Sequence, residues 1–360
     1  MKPSSFLVLS LLVFSAQISV CQSFKVKHTE HNANLESVVF SYDGKKMASG
    51  DWNGVINLYT LDSNKNFTFS KSIPGHYAAV TTLSFSKNGK FLVSSSKDFS
   101  IKVWNLDTAG KDKTFNLHTQ NITAAFLDPS CKYLISSSTD GSVKTTSVHN
   151  IKKSREFKPG GPVTDVIITK DFKYYFVALK GGAIKKFEVA GKNLEQLALT
   201  GHADDVNSIE LSPDEKTLAS GSNDKTIIVW DLSNGKVKKK LIGFEWKVTS
   251  ISFSSDGNYI IGGCNDGIVK LFEIETGKCL NDFKELGKNA RDVAFLRDGS
   301  QVAVATHMEG EKFGAVIYNT GLSINVAPIG GTSTDSKGKG SKGTAPAATP
   351  KQVKKSNGSK

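Results

Sequence analysis

The sequence has few cysteines and no long hydrophobic run. Four cysteines in 360 residues are too few and too scattered for a disulfide framework. The longest apolar stretch, residues 6–20, is interrupted by polar residues and falls short of the roughly 20 residues that span a bilayer. Because 38% of the residues are hydrophobic and 22% are charged, a polytopic membrane protein is excluded, and most of the chain is expected to fold as a globular protein.

Sequence motifs for catalysis or metal binding are also missing. There is no Gly-x-Ser-x-Gly elbow, Walker loop or dinucleotide fingerprint. The tightest histidine cluster, His28, Glu30 and His31, lacks the His-Glu-x-x-His or Cys-x-x-Cys spacing that would complete a metal site. We therefore predict a non-enzymatic protein with no metal, no cofactor and no small-molecule substrate.

The N-terminus has the composition of a secretory signal, with Lys2 ahead of the apolar residues 6–20. We predict a signal peptide over residues 1–21, removed near Cys21, and hence a protein that is secreted or held in the lumen of the endoplasmic reticulum. The alternative is an uncleaved signal anchor, which would hold the protein at a membrane. Entry into the secretory pathway would also make glycosylation acceptors of three asparagines in Asn-x-Ser/Thr triplets. They are Asn66, Asn121 and Asn357.

The C-terminal residues 323–360 form a tail of biased composition. The net charge is +12, and residues 328–360 account for about half of it, with seven lysines against the single acid Asp335. Gly, Ser, Thr, Ala and Pro dominate the remainder, and such a composition cannot bury enough apolar surface to fold. We predict a disordered, lysine-rich tail that serves either as a solubilising spacer or as an arm that contacts polyanions.

The rest of the sequence is periodic. An apolar residue closes a short predicted strand at intervals of 41–45 residues, and a turn such as Ser-x-Asp-Gly follows several of these strands. A sustained period of this length is typical of β-propeller blades. We therefore predict an all-β, seven-bladed propeller over residues 22–322, with four short antiparallel strands in each blade. The seven closing residues are Phe40, Phe85, Phe126, Ile168, Leu211, Phe253 and Phe295.

Two of the repeats carry the same four residue types at the same spacing. They are His76, Ser94, Asp98 and Trp104 in blade two, and His202, Ser220, Asp224 and Trp230 in blade five. In this respect the sequence resembles the WD-repeat family over about residues 24–320. The resemblance implies a buried chain of hydrogen bonds, from His to Ser and Asp and on to the indole, that ties a loop at one end of the blade to its strands.

The other repeats depart from this pattern. Blade one has His31, Ser49, Asn53 and Tyr59 at the four positions. Blade three has His118, Ser136 and Asp140, with Thr146 in place of the tryptophan. Blades four, six and seven lack the histidine, so we expect apolar packing to hold them together.

Two further predictions concern the edges of the sheets. The last repeat supplies only three strands, so residues 24–27 are predicted to add a fourth, outermost strand beside the strand that contains Ile317. The lysine-rich residues 236–240 fall on the outer strand of blade five, where lysines commonly guard an edge against unwanted pairing.

The WD-repeat resemblance also places a set of exposed residues on the face with the His loops and Asp turns, just after each His position or just before each Asp position. Aromatic residues beside mixed charges resemble interface hot spots, although ordinary solvent exposure is an equal alternative. We predict a non-catalytic scaffold that binds protein partners on this face; the alternatives are a polyanion binder that uses the tail and an enzyme that uses the central channel. The predicted partner-binding residues are Trp52, Tyr77, Lys97, Thr139, Lys180, Asp204, Asp205, Asn223, Glu245, Trp246, Lys247 and Asn265.

Overall fold

A computed structural model of the chain describes residues 25–28, 30–108, 112–189, 195–284, 288–307 and 314–324. The chain divides into one unit of Met1–Val326 and another of Ala327–Lys360. The predicted signal segment 1–21, the second unit and residues 325–360 of the predicted tail lie outside the described residues. The predictions made for these segments therefore remain predictions.

The described residues form 28 strands, numbered here in chain order. The first is β1 (Lys25–Lys27), and blade one follows with β2 (Leu35–Phe40), β3 (Lys46–Asp51), β4 (Val55–Leu61) and β5 (Phe67–Pro74). Blade two has β6 (Val80–Phe85), β7 (Phe91–Ser96), β8 (Ile101–Asn105) and β9 (Lys113–Phe115). Blade three has β10 (Ile122–Leu127), β11 (Tyr133–Ser138), β12 (Val143–Ser147) and β13 (Ser154–Phe157). Blade four has β14 (Val163–Ile168), β15 (Tyr174–Leu179), β16 (Ile184–Glu188) and β17 (Glu195–Leu199).

The three remaining blades follow the same plan. Blade five has β18 (Val206–Leu211), β19 (Thr217–Ser222), β20 (Ile227–Asp231) and β21 (Lys236–Leu241). Blade six has β22 (Val248–Phe253), β23 (Tyr259–Cys264), β24 (Val269–Glu273) and β25 (Cys279–Phe283). Blade seven has β26 (Asn289–Phe295), β27 (Gln301–His307) and β28 (Val316–Asn319).

The strands of each blade pair in sequence order to form an antiparallel four-stranded sheet, and in blade seven the order is β1-β28-β27-β26. The N-terminal strand supplies the outermost position of the last blade, and Val26 pairs with Ile317. The prediction of seven four-stranded blades closed by an N-terminal outer strand is confirmed. The lysine-rich strand β21 is the outer strand of blade five, also as predicted.

A tight turn follows each inner strand. The side chains and the backbone of the turn stabilise it by hydrogen bonding to one another. In blade one, Ser41 Oγ donates to Asp43 Oδ1 at 2.6 Å, and the Gly44 amide donates to the Ser41 carbonyl at 2.8 Å. Gly44 has a φ of 70°, in the left-handed region that glycine adopts without steric cost. The Ser-x-Asp-Gly pattern therefore fixes where an inner strand ends.

The hydrophobic core lies between neighbouring sheets. The second strand of every described blade has five consecutive buried residues, because another blade covers each of its faces. Small residues in these strands allow the next blade to approach closely. A Cβ on Gly50 would lie 2.6 Å from Val80 Cγ1, and one on Gly221 would lie 2.7 Å from Val248 Cγ1.

The inner strands line a central channel with a cavity of about 690 Å³. Hydrogen bonds between these strands link neighbouring blades. Asp165 Oδ2 accepts from the Ile209 amide at 2.8 Å, passing from blade four to blade five. Asp292 Oδ2 accepts from the Val38 amide at 3.0 Å, passing from blade seven to blade one and so across the closure of the ring.

Two further observations concern the cysteines and membrane-spanning helices. Cys131, Cys264 and Cys279 are free thiols. Within the part of the chain that the structure describes, no helix has the length and apolar character needed to cross a membrane.

Candidate functional site

One side of the ring carries the loops that enter the inner strands and the turns between the second and third strands. In blade two these segments are residues 75–79 and 97–100. We call this side the loop face. Hydrogen-bond networks beneath it hold the loops to the blades, and several exposed side chains project from it.

The network in blade two begins at the indole of Trp104, whose Nε1 donates to Ser94 Oγ at 2.8 Å. The same oxygen lies 2.7 Å from His76 Nε2, and His76 Nδ1 lies 3.1 Å from Asp98 Oδ2. Asp98 Oδ2 also accepts from the amide of Tyr77 at 3.0 Å. The loop that carries Tyr77 is therefore tied to two strands of its blade.

Blade five repeats this geometry almost atom for atom. Trp230 Nε1 donates to Ser220 Oγ at 2.8 Å, Ser220 Oγ lies 2.7 Å from His202 Nε2, and His202 Nδ1 lies 2.8 Å from Asp224 Oδ2. A hydroxyl two residues after the aspartate, which the sequence pattern did not single out, completes the network. In blade five this is Thr226, whose Oγ1 donates to Asp224 Oδ1 at 2.7 Å.

Blade one forms a similar network with a different acid. His31 Nδ1 lies 2.9 Å from Asp51 Oδ2, and His31 Nε2 lies 2.7 Å from Ser49 Oγ. Asn53, the residue expected at this position, instead donates its backbone amide to Asp51 Oδ1 at 3.0 Å. The expectation for Asn53 was therefore wrong, because the carboxylate reaches the imidazole from two residues earlier in the turn.

Blades two and three fill the space beside the histidine in opposite ways. In blade two, a Cβ on Gly75 would lie 2.5 Å from the Trp104 ring, so only glycine leaves room for the indole. In blade three, Thr146 replaces the tryptophan, and Leu117 stands where blade two has this glycine. Leu117 packs against the apolar cluster between blades two and three. The side-chain volume lost at one position is thus restored at the other.

Burial determines the charge state of the histidines. Desolvation lowers the pKa of His76, His118 and His202 below the ordinary value, even though a neighbouring carboxylate acts in the opposite direction. A neutral imidazole can donate from Nδ1 to the aspartate and accept at Nε2 from the serine hydroxyl. Burial raises the pKa of Asp98, but hydrogen bonds from the Ser100 hydroxyl and amide outweigh it and bring that pKa to about 2. The aspartate is therefore an anion held by neutral donors.

A second polar cluster lies on the loop face where blades seven, one and two meet. At its centre is the carboxylate of Glu36, whose side chain is only 6% exposed. Glu36 accepts from Trp52 Nε1 at 2.6 Å and from Arg291 Nη2 at 2.7 Å, and Lys97 Nζ lies 3.6 Å away. The Trp52 ring meets His307 edge-on, with 4.7 Å between ring centroids. Trp52 is therefore anchored at its polar end, while the residue as a whole stays 43% exposed.

The predicted partner-binding residues all belong to segments of the loop face, but their environments differ. Trp52 and Lys97 lie together, with Lys97 Nζ 5.8 Å from the Trp52 ring centroid, whereas Trp246 lies on blade six. Asp205 Oδ1 accepts from the Gly181 amide at 2.7 Å, which links blade five to blade four. The exposed members are Trp52, Tyr77, Lys97, Lys180, Asp204, Glu245, Trp246 and Lys247, and the half-buried members are Thr139, Asp205, Asn223 and Asn265.

Three carboxyl groups line the channel below the loop face. Burial raises the pKa of Asp165 to about 7, that of Glu210 to about 8, and that of Asp292 in the same direction. Each accepts a backbone amide from the next blade; the Glu210 bond, to the amide of Phe253, is 2.7 Å long. Their partners and their spacing around the ring indicate a structural role. No group of three or more His, Cys, Asp or Glu side chains among the described residues is arranged to hold a metal ion.

Sequence reasoning missed four residues of the loop face. Glu36, Arg291 and His307 form one cluster only because blades seven and one meet, and no local pattern reports this contact. Phe99 was detectable, since it occupies a turn position where blade three has Gly141. Its backbone φ of 65° lies in the left-handed region, which bulky residues rarely adopt.

Comparison with known proteins agrees with this architecture. Residues 34–309 match the family described as the IFT122 first beta-propeller. Periodic tryptophan protein 2 of Saccharomyces cerevisiae is 29% identical over 120 residues, which cover 30% of this chain and 13% of that protein. The 66 kDa stress protein of Physarum polycephalum is 25% identical over 241 residues, covering 55% of this chain and 39% of that protein. Protein hir1 of Aspergillus fumigatus is 29% identical over 118 residues, covering 28% of this chain and 11% of that protein.

The chain therefore spans less than half of the length of each of these relatives. WD-repeat propellers typically act as protein-interaction scaffolds and are generally non-catalytic. The family match covers more than half of the chain, and the fold has seven four-stranded blades with buried His-Ser-Asp networks. The chain belongs to the WD-repeat β-propellers, in the family of the IFT122 first beta-propeller.

Proposed function

We propose that the protein is a non-catalytic scaffold that binds protein partners on its loop face. The observation that carries this proposal is the set of large aromatic rings left in solvent there. Tyr77 is 97% exposed, Trp246 is 58% exposed and Trp52 is 43% exposed. Single exposed rings are ordinary, but several on one rigid surface are typical of an interaction site.

The backbone around these rings is well supported, which favours binding without large rearrangement. The loop that carries Tyr77 is held by the His76 network, and Trp52 is held by Glu36. A surface that is already ordered loses little conformational entropy when a partner docks. Mixed charges such as Lys247 and Asp204 would orient the partner.

Affinity capture with the full-length chain tests this proposal. We expect a Tyr77→Ala/Trp246→Ala double variant to keep its unfolding midpoint and to lose most of the captured proteins, because both side chains are exposed. A Lys238→Glu/Lys239→Glu variant, altered on the outer strand of blade five, is the matched control and should capture the same proteins as the wild type. Loss of capture with the control and normal capture with the double variant would move the binding surface to the rim.

A second function is favoured by the tail, which places seven lysines against one acid in residues 328–360. In this alternative the tail binds a polyanion, and the propeller is the folded domain to which the tail is attached. Binding through the tail would weaken steeply with salt, because neutralised phosphates release counterions. Replacing the seven lysines by alanine in the full-length chain would abolish such binding and leave loop-face capture unchanged.

The proposed location is the secretory pathway, either secreted or in the lumen of the endoplasmic reticulum. The support is the apolar segment at residues 6–20, flanked by Lys2 on one side and polar residues on the other. An uncleaved anchor remains the alternative, and the state of the mature N-terminus distinguishes the two.

A further inference from the structure

Three segments of blades one and two interlock on the loop face. A Cβ on Gly54 would lie 2.2 Å from the carbonyl oxygen of His76, so the blade-one turn lies directly against the blade-two loop. The amide of Lys97 donates to the Ala79 carbonyl at 2.9 Å, which joins the same loop to the blade-two turn. Side chains from these segments therefore project from one continuous surface.

This surface concentrates exposed aromatic rings. Trp52 is 43% exposed, Tyr77 is 97% exposed and Phe99 is 44% exposed. We call these three residues, together with Lys97, the aromatic patch. At the positions of Tyr77 and Phe99, blade three has Thr119 and Gly141, and blade five has Ala203 and Lys225. The rings of Tyr77 and Phe99 are therefore a feature of blade two and do not follow from the repeat.

Phe99 adopts an unfavourable backbone conformation. Its φ is 65°, and the same turn position is held by glycine in blades one, three, four and six: Gly54, Gly141, Gly182 and Gly267. A left-handed backbone is costly for a residue with a Cβ, and especially for a bulky one. Phe99 is 44% exposed, so burial of the residue offsets only part of that cost. Strain of this kind is typical of functional positions, where a ligand benefits from the side chain.

Among the described residues around the patch, Lys97 is a cation that keeps donors for a ligand. Arg291 holds one oxygen of the buried Glu36 through Nε at 2.8 Å and Nη2 at 2.7 Å, and Trp52 holds the other at 2.6 Å. Lys97 Nζ is 3.6 Å from Glu36, too far for a good hydrogen bond, and its side chain is 48% exposed. In the part of the chain that the structure describes, Arg291 and Lys97 both face the Glu36 carboxylate, and the ammonium of Lys97 retains donors for a ligand.

We propose that the aromatic patch is the docking site for an acidic peptide segment of a protein partner. A carboxylate of the peptide pairs with Lys97, and a neighbouring apolar side chain packs against Tyr77 and Phe99. The positive charge of Lys97 favours an acidic group on the ligand. The exposed rings favour a ligand that also has an apolar side chain, which a small hydrated anion lacks. This inference rests on the proposed function, because it names the sector of the loop face that binds a partner and the chemistry of the segment that is bound.

The test selects a phage-displayed library of random peptides, about 12 residues long, on the full-length chain. Enriched peptides are synthesised with a fluorescent label, and their Kd is measured by anisotropy on the wild type and on variants. We expect the enriched peptides to carry Asp or Glu next to an aromatic or aliphatic residue. Phe99→Gly and Lys97→Met should each weaken binding by about tenfold, the range seen when an interface anchor is lost.

Lys225→Gly is the matched control for Phe99→Gly. Lys225 has a φ of 68° at the same turn position of blade five, so both substitutions relieve the same backbone strain. Thermal unfolding should show similar midpoint changes for the two variants, while only Phe99→Gly loses peptide affinity. This comparison separates a binding role of the ring from an effect on the turn.

Several outcomes would contradict the inference. Enriched peptides that lack acidic residues, or that bind the Phe99→Gly and Lys97→Met variants as well as the wild type, would overturn it. If those peptides are lost with Trp246→Ala instead, the loop face still binds partners and only the sector is wrong. If no loop-face substitution affects them, the proposed function fails as well. A single-stranded DNA that displaces the peptides from the patch at lower concentration would make the ligand a nucleic acid and would also overturn the inference.

Discussion

Ser220 is the residue through which the network of blade five is connected. Its hydroxyl oxygen accepts from the indole of Trp230 at 2.8 Å and lies 2.7 Å from His202 Nε2. Because all three side chains lie under the loop face, loss of one leaves the others with unsatisfied polar atoms. The indole therefore contributes both packing and a hydrogen bond.

Trp230→Ala should lower the free energy of unfolding by about 3–5 kcal/mol, since the side chain is only 1% exposed and its removal leaves a cavity. Thr146→Ala is the matched control at the same position of blade three, where a small side chain donates or accepts one hydrogen bond with Ser154 at 2.8 Å. Its cost should be about 1 kcal/mol. Urea denaturation measures the free energy of unfolding of both variants. Equal losses would show that the network does not contribute to stability.

At the scale of residues, the sequence predicted side chains that act within one blade and missed those that act through an altered turn. Ser94, Asp98 and Trp104 have a fixed spacing because the same backbone recurs in each complete blade. Asp51 departs from that spacing, since its Oδ1 also accepts from the amides of Asn53 and Val55. A carboxylate that reorganises its own turn cannot be located by spacing alone.

The inner strands are the elements on which the ring depends. Several of their side chains face the channel and accept hydrogen bonds from backbone amides of the next blade. Each of the three carboxyl groups there is surrounded by protein atoms and has the other two acids around the same channel. Glu210 has Asp165 and Asp292 as its charged neighbours, and both raise its pKa further after burial has done so. The charged form of Glu210 is therefore disfavoured in the folded state.

This arrangement predicts a pH dependence with a defined sign. The pKa of Glu210 is about 8 when folded and near 4 when unfolded, so the folded state binds the proton more tightly. Its contribution to stability is complete below about pH 4 and is lost as the pH rises towards 8. Between pH 5 and pH 8.5, a Glu210→Gln variant should gain stability relative to the wild type by at least about 1 kcal/mol; water in the channel moderates the full shift. Thermal unfolding at several pH values measures this difference.

The aspartates and histidines of the networks have the opposite effect, because they make the protein less stable as the pH falls. They are unchanged in the Glu210→Gln variant. Asp98 and Asp140 have a pKa of about 2, so their contribution is lost only as the pH falls towards that value. The lowered pKa of His76 makes its contribution fall below about pH 6.5. If the difference in stability between Glu210→Gln and the wild type is the same at every pH, Glu210 is not the source of the pH dependence.

At the scale of elements, the sequence predicted the strands well because their signals are local. Turn motifs after several inner strands and a period of 41–45 residues determine the blade count without any long-range information. The cluster around Glu36 could not be predicted in this way. It needs Arg291 from blade seven and Lys97 from blade two, which approach Glu36 only in the closed ring.

For the whole molecule, we predict a route through the secretory pathway. We expect the native protein to begin near residue 22 and to carry a glycan on Asn66, an exposed residue in the turn before β5. A glycan there would leave binding unchanged, whereas one on Asn121, in the loop-face segment before β10, would lie beside the binding surface. Mass spectrometry of the native protein measures both modifications. A cytosolic, unglycosylated chain that retains residues 1–21 would contradict this route.

The outer strand of blade seven has a consequence for how the protein folds. Six blades are built from contiguous chain, so their hairpins can form as soon as each repeat has been synthesised. Blade seven is different, because Lys25 pairs with Tyr318, nearly 300 residues later in the sequence. Contacts between such distant residues form slowly, since a long loop must close first. The pairing that closes the ring is thus the last to form during synthesis, and because it is only three residue pairs long, it is also the first to open when either end of the chain is pulled.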